Sequence, residues 1–302
     1  MRLGVFGLTP PAEVGSDHAL EWSIGEAAKL NVEIVGGDPR PTFRWGSFKC
    51  DRGYWRSLRE TAAAKGLDIE PYVRTPFDVA GPGSRAARAA LLESIRASKE
   101  LGGPVLRTAY GDQTVARTRF AAIPLAAHLG NLVANLREAA QIAASEGVVL
   151  AIENHTDFSG RELDRVLSEV DSEWIRCALD TGNGLTVFAD PVEDAEVLAP
   201  WTVTTHVKDM RVVENPRPAS GPSPLVPFGI VGCAIGEGNV DLVTILRSLL
   251  THGPLGDRVP LIVEPSWPEG SNAANLAEKR NALITANLRN LKRLVPEVVS
   301  LS

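Results

Sequence analysis

Val148-Val149-Leu150-Ala151-Ile152-Glu153-Asn154-His155 is an aliphatic run that stops at a carboxylate. Short apolar runs bounded by polar residues read as strands buried on both faces, the kind that build parallel sheets. Three segments downstream repeat the pattern. Cys177-Ala178-Leu179-Asp180 and Leu261-Ile262-Val263-Glu264 end in carboxylates, and Thr204-Thr205-His206-Val207-Lys208 delivers an imidazole. Working outward, further strands are expected at 3–8, 32–35, 67–73 and 104–109, beside those at 148–153, 175–180, 203–207 and 259–264. Amphipathic stretches at 19–30, 54–64, 84–101, 122–146, 160–170, 191–199, 240–251 and 273–294 alternate with them. Eight strand-helix pairs predict an α/β chain folded as a single (β/α)8 TIM barrel domain over 1–302. Gly66, Gly102 and Gly147 stand where helices should stop, making the helix-to-strand turns short. The opposite connections are longer and rich in Pro, Gly, Asp and Asn. The longest, 210–239, contains Glu214-Asn215-Pro216-Arg217-Pro218 and is expected to be a structureless lid, binding loop or interface.

Composition narrows the function. The 302 residues are 44% hydrophobic and 23% charged, which excludes disorder, collagen and coiled coil. A net charge of -6 offers no basic field for nucleic acid or anionic lipid. No 18-residue apolar run occurs, and the apolar stretch at 1–7 is too short for a signal sequence. The three cysteines, Cys50, Cys177 and Cys233, form no CxxC and fit a reducing, cytoplasmic setting. No GxGxxG lies between a strand and a helix, so no nucleotide cofactor is expected.

In a parallel barrel the strand ends meet on one rim, so Glu153, Asp180, His206 and Glu264 should face a common centre. Any one of these acids alone could cap a helix or pair with an arginine. Three carboxylates crowded together cannot all stay ionised without protons or a cation, and a divalent metal resolves the conflict. Three oxygen donors and one nitrogen suit Mn²⁺ or Mg²⁺, with Co²⁺ or Zn²⁺ compatible, and leave positions open for substrate oxygens.

Glu153-Asn154-His155, Leu179-Asp180-Thr181-Gly182-Asn183, His206-Val207-Lys208-Asp209, Ile262-Val263-Glu264 and Gly236-Glu237-Gly238-Asn239-Val240-Asp241 together resemble the sugar phosphate isomerase/epimerase superfamily, the xylose isomerase-like TIM barrels. The resemblance runs in order along nearly the whole chain. It implies one divalent ion, often Mn²⁺, on Glu153, Asp180, His206 and Glu264, with the two glutamates serving also as acid and base. Ketose 3-epimerases of this superfamily carry a substrate-binding His where this chain has Asn183, and an Arg whose approximate counterpart is Arg211.

His155 and Lys208 each stand two residues beyond an expected ligand. His155 can titrate near neutral pH as an acid or base. Lys208 can hold an oxyanion or phosphate, or donate a proton if burial lowers its pKa. Each also has a purely structural reading: His155 orienting a carboxylate, Lys208 pairing with Asp209 or neutralising the acidic rim. Trp45, Phe77, Phe158 and Trp267 could wall a sugar ring, although core packing is the default for each. His18, His128 and His252 are expected on loops or helix surfaces.

The leading expectation is a metal-dependent isomerase or epimerase of a sugar or keto-sugar, moving a proton next to a polarised carbonyl. If a leaving group sits β to the resulting carbanion, the same chemistry becomes a lyase: a dehydratase, or the catalytic subunit of a 3-keto C- or O-glycoside deglycosidase. The resemblance implies that such deglycosidases can need a small β-sheet partner subunit; a homo-oligomer is the other assembly compatible with the chain. Abasic-site endonucleases share the fold, but need more histidines than five and a basic groove. A non-catalytic binding protein is the remaining class.

Overall fold

The computed structural model describes residues 1–11, 13–14, 19–38, 52–73, 85–110, 124–214 and 228–300, with 85–87 and 228 as backbone only. His18, Trp45, Cys50, Phe77 and 215–227 lie outside these. Eight parallel strands form a nearly closed barrel: β1 (Arg2–Phe6), β2 (Ile34–Gly37), β3 (Asp68–Pro71), β4 (Val105–Ala109), β5 (Val149–Glu153), β6 (Ile175–Asp180), β7 (Thr202–Val207) and β10 (Pro260–Val263). Their order is β3-β2-β1-β10-β7-β6-β5-β4. Between β3 and β4 the seam is a single parallel bridge, Tyr72 with Arg107, where the Val73 N–H donates to the Arg107 carbonyl at 3.0 Å.

Around the barrel stand α1 (Ala19–Ala27), α2 (Arg52–Ala63), α3 (Arg85–Leu101), α4 (Leu125–Glu146), α5 (Gly160–Val170), α6 (Pro191–Leu198), α7 (Leu242–His252) and α8 (Leu276–Ser300). Helix α5 shows why these segments are helical and where they pack. Leu163, Val166, Leu167 and Val170 recur at one-turn spacing and are buried. Ser159 and Glu162 close a capping box at its start. Gly66, Gly102 and Gly147 all take positive φ at the expected helix ends. Helix α8 runs past the expected stop at 294 and carries Pro296 within its last turns. No helix among the described residues is long and apolar enough to cross a membrane.

The segment 210–239 is not structureless. β8 (Asp209–Glu214) pairs antiparallel with β9 (Phe228–Cys233), register Asp209 with Cys233 through Glu214 with Phe228. Val212-Val213 and Ile230-Val231 supply the strand-forming residues, which the Pro-rich stretch between them obscures in sequence. The ribbon is tied down where the Gly232 N–H donates to the Trp267 carbonyl at 2.8 Å.

Helices α5 and α6 are joined by a buried carboxylate. Asp194 accepts the Gly160 N–H at 2.6 Å, while its Oδ2 is buried without a hydrogen-bond partner. Burial pushes its pKa up to about 6 from 3.8, the Gly160 N–H opposing and Asp190, Glu162 and Glu193 adding. A carboxyl raised in the folded state binds more protons than the unfolded chain between those values, so its contribution turns against folding as pH rises from 3.8 to about 6. Asp194→Asn keeps the acceptor and loses the titration. Urea midpoints should therefore move in favour of the variant between pH 4 and pH 7; a difference that does not change with pH would contradict this.

Candidate metal centre

The expected ligands meet at the C-terminal mouth of the barrel. One atom each from Glu153, Asp180, His206 and Glu264 lies within 4.8 Å of the others, three of the residues being buried and Glu264 half-buried. His206 Nδ1 is 3.6 Å from Glu153 Oε2, 4.0 Å from Asp180 Oδ2 and 3.4 Å from Glu264 Oε2. Neither ring nitrogen makes a hydrogen bond, although the residue is 1% exposed. Its plane is held instead by Phe6 at the end of β1, ring centroids 4.5 Å apart.

Two side-chain clamps fix the strand ends that carry these groups. Asn154 accepts the Asp180 N–H at 2.6 Å and donates to the Asp180 carbonyl at 3.0 Å, lacing the end of β5 to that of β6. Thr181 donates its hydroxyl to the Lys208 carbonyl at 2.7 Å and accepts the Lys208 N–H at 3.0 Å, lacing β6 to β7. Asp180 Oδ1 is oriented by the N–H groups of Gly182 and Asn183, at 2.9 and 3.1 Å. Asn183 donates to Glu153 Oε1 at 3.2 Å and so holds one of the clustered carboxylates.

Lys208 extends into the cluster. Its ammonium is 2.7 Å from Asp180 Oδ2 and 2.7 Å from Glu264 Oε2, setting one positive charge against the three carboxylates. Burial alone would lower its pKa, but Asp180, Glu264 and Glu153 outweigh burial and raise it. The condition under which Lys208 would release a proton through burial is thus not met, and its pairing is with the cluster rather than with Asp209. Burial likewise works against the Glu264 carboxylate, yet Lys208 and His206 hold it well below the usual range. Asp180 is pushed up to about 6 by burial, with Lys208 opposing and Glu264 and Glu153 adding. An unpartnered buried imidazole among three carboxylates is a donor set that could hold a divalent ion.

His155 lines the same cavity of about 470 Å³ as Lys208, Glu264, Asn183, Met210, Ile230 and Trp267. Its Nδ1 is 3.2 Å from the buried Asp157 Oδ2. Burial opposes its charge, but the Asp157 hydrogen bond and the charges of Glu153 and Asp157 raise its pKa. Trp267 is exposed against the cavity, whereas Phe158 is core, its ring 5.3 Å from Tyr110. His128 is buried in α4, not on a surface, and His252 lies exposed on α7.

Asp209 explains the Gly236-to-Asp241 motif. Its carboxylate accepts the N–H groups of Gly236, Gly238 and Val240 at 2.9, 2.9 and 3.2 Å. A Cβ at Gly238 would lie 2.1 Å from Asp209 Oδ1, so the loop can wrap the carboxylate only with glycine there. Asn239 then continues the β8 ladder by accepting the Val212 N–H at 2.8 Å, and Asp241 caps α7.

Sequence reading missed the groups beneath the centre. Arg107 on β4 is 0% exposed; its Nε donates to Glu70 Oε1 on β3 at 2.8 Å, and its Nη1 lies 3.5 Å from Glu153 Oε2. Thr204 on β7 donates to the other Glu70 oxygen and takes an Arg107 N–H at 3.3 Å, so the network crosses the barrel interior. The available signal was one charge of each sign inside adjacent apolar strands. Asp157 and Arg280 were also missed, while Arg211 pairs with Glu269 at 3.0 Å on the ribbon and does not line the cavity.

Comparisons with known proteins agree with this architecture. A chain from Actinoplanes sp. named 2-epi-5-epi-valiolone 7-phosphate 2-epimerase is 30% identical over 236 residues, 76% of this chain and 77% of that one. The uncharacterized protein YihM of Escherichia coli K12 is 25% identical over 134 residues, 44% of this chain and 36% of YihM, so the chain spans about a third of that relative's length. A solved L-ribulose 3-epimerase superposes with a TM-score of 0.69 at 15% identity, covering 99% of this chain and 96% of the other. The profile described as "Xylose isomerase-like TIM barrel" matches residues 24–294, and on that match the chain belongs to the xylose isomerase-like TIM barrel family.

Proposed function

We propose that the chain is a divalent-metal-dependent isomerase or epimerase of a sugar or keto-sugar, with Glu153 and Glu264 moving a proton between carbon and carboxylate next to a carbonyl. The observation that carries this reading is the meeting of the two glutamates, one ending β5 and one following β10, with Asp180 and His206 in a single cluster. Glu153, Asp180, His206 and Glu264 would hold the ion, with Mn²⁺ or Mg²⁺ favoured by the oxygen donors. When bound it supplies a Lewis acid that stabilises negative charge on substrate oxygens. One glutamate takes the proton from the carbon beside the carbonyl, and the C–H electron pair becomes the enediolate double bond. Return of a proton to the opposite face gives the epimer; return to the neighbouring carbon gives the isomer. Lys208, held protonated by its carboxylates, donates a hydrogen bond to the developing oxyanion. His155, oriented by Asp157, moves a hydroxyl proton through Nε2. The Actinoplanes relative, named for a 2-epimerase activity, supports the same class of reaction.

A lyase is the second reading, favoured by the His155–Asp157 pair and Lys208 lining the cavity in addition to the two glutamates. In that case the electron pair left by the proton expels a group on the next carbon, which departs with a proton from His155, while Lys208 donates a hydrogen bond to the oxyanion.

A panel of keto-sugars in D₂O tests both. Carbon-bound deuterium without a second fragment is expected, and fragment release would select the lyase. His155→Ala and Lys208→Ala should retain metal yet lose about 10²-fold in turnover, the scale of a general acid or base. Near-full activity in both would leave the proton transfers to the glutamates alone.

A further inference from the structure

Arg280 reaches from α8 to the cavity mouth, and among the described residues its side chain makes no hydrogen bond or ion pair. Its Nε is buried without any hydrogen-bond partner. Burial holds its pKa below the usual arginine value, with Glu264 opposing. The guanidinium is nonetheless seated. It passes over Gly7, beyond the end of β1, where a Cβ would lie 2.9 Å from Nη2 and 3.4 Å from Pro265. Gly7 takes φ +75° and carries no side chain, which leaves the passage open. A half-buried guanidinium whose Nε is desolvated and unpartnered carries a cost that is recovered when an anion arrives.

Among the described residues, Lys208 and Arg211 near the mouth are already engaged. Lys208 is held by Asp180 and Glu264, and Arg211 by Glu269. Arg280 stands on the β10–β1 side of the cavity, while His155, Asn183 and Thr186 come from the β5–β6 side. Ser266, which also lines the wall, has a hydroxyl that makes no hydrogen bond among the described residues. A cavity of about 470 Å³ holds a small sugar together with a charged substituent.

We infer that Arg280 recognises an anionic group, a phosphate ester or a carboxylate, carried by the substrate at the end remote from His155. The planar fork of an arginine donates to two oxygens of either group at once. The inference rests on the cavity being the substrate site of the proposed isomerase, and it gives that substrate a charge and a direction.

Calorimetric titration of the metal-loaded protein with glycerol 3-phosphate, 4-hydroxybutyrate and neutral 1,4-butanediol tests it. At least one anion is expected to bind while the diol does not; tighter glycerol 3-phosphate assigns a phosphate ester, tighter 4-hydroxybutyrate a carboxylate. R280Q and R280M should each weaken that anion at least tenfold while metal content stays unchanged, and R280M keeps the aliphatic stem over Gly7 should R280Q fail to fold. Equal affinity in wild type and variants would place the anion on the metal centre and overturn the assignment, as would no anion binding at all. Because binding is read without turnover, Arg280-dependent binding in a protein that exchanges no carbon-bound proton would defeat the isomerase reading and spare the anion site. Proton exchange without such binding would do the reverse.

Discussion

Glu264→Gln is expected to strip the protein of its divalent ion and of one proton-moving glutamate, and to lower kcat/KM by at least about 10³-fold, the several kcal/mol that a Lewis acid alone contributes to charge stabilisation. Glu264 is the cleaner of the carboxylate tests. Asp180 also accepts the Gly182 and Asn183 N–H groups, so Asp180→Ala would disturb the β6 end as well as the ion. Glu264, half-buried, contacts Lys208 and His206, and Lys208 retains Asp180 when Glu264 is neutralised. The variant should therefore melt cooperatively near the wild-type temperature while metal analysis after gel filtration finds little ion bound. Wild-type metal stoichiometry in Glu264→Gln would remove Glu264 from the ligand set.

The largest loss of stability is expected from Arg107→Met. Its guanidinium is enclosed in the barrel and balances Glu70 directly and Glu153 at longer range. Removing it leaves Glu70 with the Thr204 hydroxyl as its remaining partner in this network. Breaking a buried pair from one side costs about 3–5 kcal/mol, because the surviving charge stays desolvated. A matching fall in unfolding free energy should be read from urea denaturation, and adding Glu70→Gln should recover much of it by removing the stranded charge. An unchanged urea midpoint for Arg107→Met would show that the pair contributes nothing.

Most barrel strands were readable because they are short and largely apolar, and their chemistry was readable because apolar runs that stop at Glu, Asp or His put that group on the rim. Residues inside the barrel were less legible. Arg107 in Val105-Leu106-Arg107-Thr108-Ala109 and Glu70 in Ile69-Glu70-Pro71 sit in strands whose alternation does not tell which face points inward, and their partnership spans 37 positions. The ribbon of β8 and β9 was hidden by the Pro-rich stretch that separates its strands. Arg280 was hidden differently: on an amphipathic helix a lone arginine reads as solvent-facing, and only the absence of a side chain at Gly7, 273 positions away, lets it turn inward.

The clamps of Asn154 and Thr181 have a consequence for how such a barrel can diversify. They join neighbouring strand ends to one another, side chain to main chain, and draw on no residue of the ribbon or of the segment after β10. The spacing of Glu153, Asp180 and His206 is thereby inherited separately from the surfaces that would meet a substrate, such as Met210, Ile230 and Trp267. Directed evolution confined to those surfaces should alter which molecule is accepted while the ion-binding geometry stays in register, whereas a change at Asn154 or Thr181 should degrade every acquired specificity alike.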